Sequence, residues 1–214
     1  MDLRRAAAAV LLAACGAAPA AAAEADCQML PPAVSGAGVY SGYSESRMCA
    51  AGLKPLWQGV PDGAAQVMRF TFSSGHAFFW RSVAITALPD GSGRLEVVGG
   101  GFKRRDVRSL WVDLRPVRRR LSPEALAGLT ALAEQSGTFD HAVGTWDQGP
   151  DGEEELFLHC QTLEMERVDA AGYRFSSVNI GCNQPQKLMP LVDEVIRLGG
   201  IGMVRGNWAG YSRR

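Results

Sequence analysis

Cysteine, histidine and arginine carry whatever chemistry this chain can do, and their spacing narrows the choices. Four of the five cysteines form two pairs, Cys27/Cys49 and Cys160/Cys182, each with the same separation of 22 residues. No Cys-x-x-Cys run accompanies them, so disulfides in an oxidising compartment are the expected state. Four cysteines allow three connectivities, and local pairing, Cys27–Cys49 and Cys160–Cys182, is the one expected. In the chain-entropy account each bond contributes roughly 3 kcal/mol. His159 adjoins Cys160, but neighbours on a strand point to opposite faces, and a disulfide sulfur is no nucleophile. The three histidines, His76, His141 and His159, show no HxxxH or HExxH spacing. No metal site and no cofactor is therefore expected. Gly42-Tyr43-Ser44-Glu45-Ser46 lacks the second glycine of a nucleophile elbow. Gly99-Gly100-Gly101 lacks the Lys-Ser/Thr of a phosphate loop. Asp140 and Asp147 are carboxylates whose spacing defines no acid–base geometry. No catalytic residue is assigned.

Cys15 stands apart from the other four. Arg4-Arg5 precede the apolar run Ala6–Ala14, which is too short to span a bilayer and reads as an export signal. Leu12-Ala13-Ala14-Cys15 resembles a bacterial lipobox, which implies lipidation of Cys15 as the new N-terminus. The competing cut after Ala21-Ala22-Ala23 leaves Glu24 first. Either cut exports the chain. A periplasmic, membrane-anchored lipoprotein is expected, held to the membrane through the lipid on Cys15.

Arginine supplies the largest charge imbalance. Lys103, Arg104, Arg105, Arg108, Arg115, Arg118, Arg119 and Arg120 are opposed locally only by Asp106 and Asp113. Guanidinium groups take phosphate and carboxylate in bidentate fashion. Arg115, Arg118, Arg119 and Arg120, together with Trp146 in the long loop 138–155, form the candidate binding surface. Lipid phosphates, anionic glycans or an acidic envelope protein are the partners it suits. The plainer reading is a solvated strand face balanced by Glu153–Glu155, Glu164 and Glu166. Formal net charge is zero over the whole chain, so no field draws it to nucleic acid.

The elements that must position these residues follow from periodicity. With 47% hydrophobic residues, 214 residues can build one sizeable core. Residues 1–23 are the export signal with its Ala/Pro tether. Residues 24–66, punctuated by Gly and Pro, read as an irregular disulfide-held segment that Trp57 helps to dock. Residues 67–200 form the body, and 201–214 a tail. Strands are predicted over 67–72, 77–88, 94–98 and 107–117, with Gly99-Gly100-Gly101 as a break. Ser122 as N-cap and Pro123 in the first turn start a helix that Gly137 ends. Its apolar stripe is Leu126, Leu129, Leu132 and Ala133. A second helix over 185–198, regular from Pro190, presents Leu188, Leu191, Val192, Val195 and Leu198, with Gly199-Gly200 as its stop.

Between the helices lies a hairpin over 156–182. A three-residue loop with Gly172 at positive φ would pair Asp169 with Tyr173 and Arg167 with Phe175, and would set Cys160 opposite Cys182. It places Leu163, Met165, Tyr173 and Phe175 on one face. The apolar side changes near Gln161, which predicts a bulge there or else cover on both faces. The segments 27–49 and 160–182 match at seven positions, but Gly and Pro in the first argue against a repeated hairpin. The expected fold is α+β: a mostly antiparallel sheet with two helices packed on one face, stapled by disulfides. The functional expectation is a non-catalytic envelope binding module. A small periplasmic hydrolase using His141 or His159 is the alternative, and a carrier of a small apolar ligand would require a cavity.

Overall fold

The computed structural model describes residues 27–35, 42–74, 79–105, 108–140, 143–145, 161–181 and 184–201. The element order is α1 (Pro32–Ser35), α2 (Gly42–Ala50), β1 (Gln66–Ser74), β2 (Phe79–Ala87), β3 (Gly93–Arg105), β4 (Arg108–Asp113), β5 (Val117–Leu121), α3 (Pro123–Ser136), β6 (Val143–Thr145), β7 (Gln161–Asp169), β8 (Gly172–Val178) and α4 (Met189–Gly199). The strands form one sheet in the order β4-β3-β2-β1-β7-β8-β6, and β5 lies beside β4 along the same edge of β3. Every pairing is antiparallel except β6 with β8. The fold is α+β, as the order of strands, helix, hairpin and helix on a mostly antiparallel sheet predicts.

Strand alternation divides the sheet into two faces with different covers. Met68, Phe70 and Phe72 of β1, Val83 and Ile85 of β2, Leu95 and Val97 of β3, and Leu163 and Met165 of β7 share the first face. Helices α3 and α4 pack on it through Leu126, Leu129 and Ala133, and through Leu191, Val192 and Val195. Each buried Leu or Val among them contributes about 1.5–3 kcal/mol by leaving water. The caps of α3 are the predicted ones. The Ser122 hydroxyl accepts from Ala125 N, Pro123 sits in the first turn, and Gly137 adopts the left-handed conformation at φ 69°. Gly200 closes α4 at φ 62°.

The second face carries the N-terminal segment. Met29 and Met48 pack on Trp80, Leu30 and Val34 on Phe175, and Leu56 on Val67 and Val168. Cys27 and Cys49 form a disulfide that closes this layer. The indole N–H of Trp57 donates to the Gln28 carbonyl at 3.1 Å, tying the segment to itself. The segment is less irregular than predicted, because α1 and α2 lie within it. Residues 42–50 are therefore helical where the matching stretch of β8 is extended, and the two segments are not copies of one structure.

Three sequence expectations are corrected. The first concerns the hairpin register. Asp169 pairs with Gly172, Val168 with Tyr173 and Arg167 with Arg174, one residue off the expected register. Asp169 Oδ1 accepts the Ala171 N–H at 2.8 Å, closing a two-residue loop in place of a three-residue one. Leu163 and Met165 consequently face the helices, while Tyr173 and Phe175 face the N-terminal segment. Beyond the Leu163–Val178 pair, Gly181 N donates to Gln161 O at 3.0 Å. One extra residue is thus absorbed on that arm, the irregularity predicted near Gln161. Cys160 and Cys182 lie outside the described residues.

The second correction is that β3 runs straight through Gly99-Gly100-Gly101. A Cβ on Gly99 would lie 2.5 Å from Trp80 O and 2.7 Å from Arg81 Cδ. The glycine marks close approach, with Arg81 Nη1 bonding to the carbonyls of Trp80 and Gly100, and not a strand end. Gly128, by contrast, meets nothing within 4 Å in the middle of α3. Gly99→Ala is expected to cost about 1–3 kcal/mol through overpacking, and Gly128→Ala to add about 0.5–1 kcal/mol of helix propensity. Urea midpoints of the two variants, read side by side, check both signs.

The third is that the strand predicted over 107–117 is two strands. Leu114 N still donates to Gly99 O at 2.8 Å in the register of β4, Pro116 has no N–H for the ladder, and β5 resumes pairing with β3 one residue out of that register.

Candidate functional site

The arginines of β5 are distributed by the pleat. Arg118 stands opposite Glu96 and Arg120 opposite Arg94, while Arg119 stands opposite Leu95 and so faces the helices. Arg119 Nη1 donates to Leu198 O at 3.4 Å. Its cation therefore sits at the C-terminal end of α4, where the helix dipole favours positive charge. Arg118 engages Glu96, with Nη2 2.7 Å from Oε1. Arg120 Nη2 reaches Asp90 Oδ2 at 2.9 Å and the Ser92 hydroxyl at 3.1 Å. The Asp90 carboxyl is held below the usual carboxylate range by hydrogen bonds from the Ser92 hydroxyl and N–H, helped by Arg120. Exposed pairs of this kind add little stability, because solvent screens them.

Around these side chains is a shallow depression of about 310 Å³, lined by Leu88, Gly93, Arg94, Arg118, Arg119 and Arg120. Arg94 enters it as the cross-strand neighbour of Arg120. Like charges placed directly opposite repel, and an anion between them would relieve that. Of the predicted surface, then, Arg118 and Arg120 come together with the unpredicted Arg94. Arg119 is turned to α4, and Arg115 is exposed in the bend between β4 and β5. Trp146 lies outside the described residues, as do Cys15, His76, His141 and His159.

A second depression lies where α2 approaches the bend between β4 and β5. It is about 300 Å³ and is lined by Arg47, Trp80, Val98, Asp113, Leu114 and Pro116 among others. Sequence reasoning missed it, because its walls come from stretches far apart in the chain.

Beneath the N-terminal segment lies a buried polar cluster. Arg69 of β1 is 3% exposed and Glu166 of β7 is 1% exposed. Arg69 Nη1 stands 3.3 Å from Glu166 Oε2, and Nη2 donates to Lys54 O at 2.5 Å. Tyr173 donates its hydroxyl proton to Glu166 Oε1 at 3.2 Å. Glu164 is buried on the same face. Glu45 on α2 accepts the N–H groups of Met29 and Leu30 at 2.7 and 3.1 Å. Burial pushes the Glu166 carboxyl above the usual carboxylate range, with Glu45 adding to the rise and Arg69 and Tyr173 opposing it. Burial and the neighbouring Glu166 carboxylate push the Tyr173 phenol up as well.

Glu164 and Glu166 therefore do not balance the arginine strip as a solvated face would. They are interior groups, and Arg69, held by Glu166, links the N-terminal layer to the sheet through the Lys54 carbonyl. The alternation of Glu164 and Glu166 with Leu163 and Met165 reads as a solvent face only while that layer is unknown. The raised pKa follows from this enclosure, and structural ion-pair networks shift carboxyls in the same way as active sites do.

Among the described residues no group of three His, Cys, Asp or Glu could hold a metal ion. Among the same residues no helix is long and apolar enough to cross a membrane. No protein-family model and no curated protein matches this chain.

Proposed function

We propose that the chain is an exported envelope protein, anchored through a lipid on Cys15, that acts as a non-catalytic binding module for an anionic component of the membrane surface. The observation that carries the reading is the cross-strand pair Arg94–Arg120 beside Arg118, bordering one depression with only Asp90 and Glu96 set against them. Guanidinium groups so arranged favour phosphate through bidentate hydrogen bonds. A lipid anchor would hold the depression within reach of headgroup phosphates.

The test uses protein lacking residues 1–23, so that the anchor contributes nothing, sedimented with vesicles of phosphatidylglycerol or of phosphatidylcholine. Binding to the anionic vesicles alone is expected, weakening as salt is raised. Arg94→Glu combined with Arg120→Glu should reduce it by at least about tenfold, or 1.4 kcal/mol. Equal binding to both vesicles, or no effect of the double variant, would sink the reading. Intact mass from a bacterial envelope tests the anchor separately: a chain beginning at Cys15 with added acyl mass supports it, and one beginning at Glu24 removes it.

A further inference from the structure

We infer that the bend joining β4 to β5 is a shallow insertion tip for an anionic bilayer: Leu114 and Val117 enter the lipid surface to the headgroup boundary, beside arginines that meet its phosphates. The inference rests on the reading of the Arg94–Arg120 depression as a site for headgroup phosphate. It adds an apolar contact that fixes which edge of the sheet faces the bilayer.

Single exposed apolar side chains are ordinary on a protein surface. These are not scattered. Leu114 is 41% exposed and Val117 37%, and they are the large apolar side chains left exposed among the described residues. Both lie in the run 113–120, which is exposed throughout, with Arg115 between them and Arg118, Arg119 and Arg120 following. Arg115 holds no partner among the described residues. Arg118 and Arg120 hold Glu96 and Asp90, but their side chains are each 72% exposed. A guanidinium has more N–H donors than one carboxylate takes up, so both keep donors for phosphate. The sheet presents this run at its rim. β4 and β5 lie along the outer edge of β3, and among the described residues no strand stands beyond them. Val117 and Arg118 leave β5 on opposite faces, so a surface that meets the strand edge-on touches both. Depth is limited by the backbone: an irregular bend has polar groups that the hydrocarbon core cannot satisfy. Insertion therefore stops at the headgroup boundary, as it does for other interfacial segments.

The experiment uses the chain from Glu24, so that no anchor contributes. It reads sedimentation with phosphatidylglycerol vesicles and the rise in surface pressure beneath a phosphatidylglycerol monolayer. The parent protein is expected to bind the vesicles and to raise the pressure. Leu114→Ser combined with Val117→Thr should weaken vesicle binding by at least about tenfold and abolish the pressure rise. Its salt dependence should stay that of the parent, since no charge has changed. Leu114→Trp should tighten binding and raise the pressure further, because indole favours the membrane interface. A gain of this kind does not come from misfolding, so it keeps the test decisive should the double variant be unstable. Vesicle binding without a pressure rise, or a double variant that binds like the parent, would overturn the insertion. Either result would leave the tip to a protein partner and let the phosphate reading stand. Absence of parent binding to the vesicles would overturn both.

Discussion

Replacing Arg69 by Met is expected to cost about 3–5 kcal/mol at neutral pH, the usual cost of removing one partner from a buried ion pair. Three interactions are lost together: the contact with Glu166, the bond to the Lys54 carbonyl, and the approach of Nη1 to Met48 Sδ at 3.6 Å. The first leaves a carboxyl that is 1% exposed without its cation. The second leaves a backbone acceptor of the N-terminal layer unpaired, which is costly in its own right.

The effect depends on pH with a definite sign. The carboxyl of Glu166 can shed its charge by taking a proton, whereas a guanidinium cannot discharge. Burial raises its folded-state pKa above the ordinary 4.5. Its contribution to stability is therefore complete below that ordinary value and is lost as pH rises through the folded one. Arg69→Met removes the one cation that opposes the rise, so its cost should be smallest in acid and grow toward neutrality. Glu166→Gln, which has no proton to lose, should gain stability relative to the parent over the same interval. Urea unfolding of the three proteins at a series of pH values between about 4 and 8 reads both differences directly. A parent-minus-Gln difference that stays flat with pH would refute the account.

Removing the Cys27–Cys49 bond is the second large effect. The Cys27→Ala/Cys49→Ala variant should lose about 3 kcal/mol, which for a chain of this size lowers Tm by roughly 6–12 °C. The local consequence is more specific than the loss of stability. The bond closes the layer that covers Arg69, Glu166 and Trp80, so opening it should expose amides of α2 and of the turn that follows it to exchange before those of β1, β2, β3 and β7. Hydrogen exchange followed by peptide mass analysis distinguishes this ordered opening from uniform weakening. Protection lost equally over α2 and the four strands would show that the segment is not a separable cover.

Much of the architecture was legible from local chemistry. The ends of α3 are written in Ser122, Pro123 and Gly137, because a hydroxyl acceptor, a missing N–H and a permissive φ act within one turn of the chain. The helix stripes and the strands required only periodicity. The pairing of Cys27 with Cys49 followed from spacing and parity. Where the reading failed, the deciding contact came from elsewhere. The hairpin is the exception: its register slipped by one residue through a local bond, the Asp169 side chain taking the Ala171 N–H and closing a two-residue turn. Gly99 looked like a strand break because nothing in its neighbourhood announces the carbonyl of Trp80 against it.

The arginine strip was visible as composition, but strand alternation alone sends Arg119 to the end of α4 and brings in Arg94, a residue outside the charged run. Glu164 and Glu166 read as surface groups because their alternation with apolar residues is the signature of a half-solvated strand. Which face meets water depends on whether a remote segment covers it. The sequence by itself determined the β7–β8 hairpin, the helices α3 and α4 with their ends, and the disulfide of the N-terminal layer, all matters of local hydrogen bonding and covalent reach. The tertiary structure alone decided which face of the sheet is covered, the burial of charge and the shape of both depressions. Those depend on β1 meeting β7 and on residues 27–65 folding back over the sheet, contacts between stretches whose local sequences carry no record of each other.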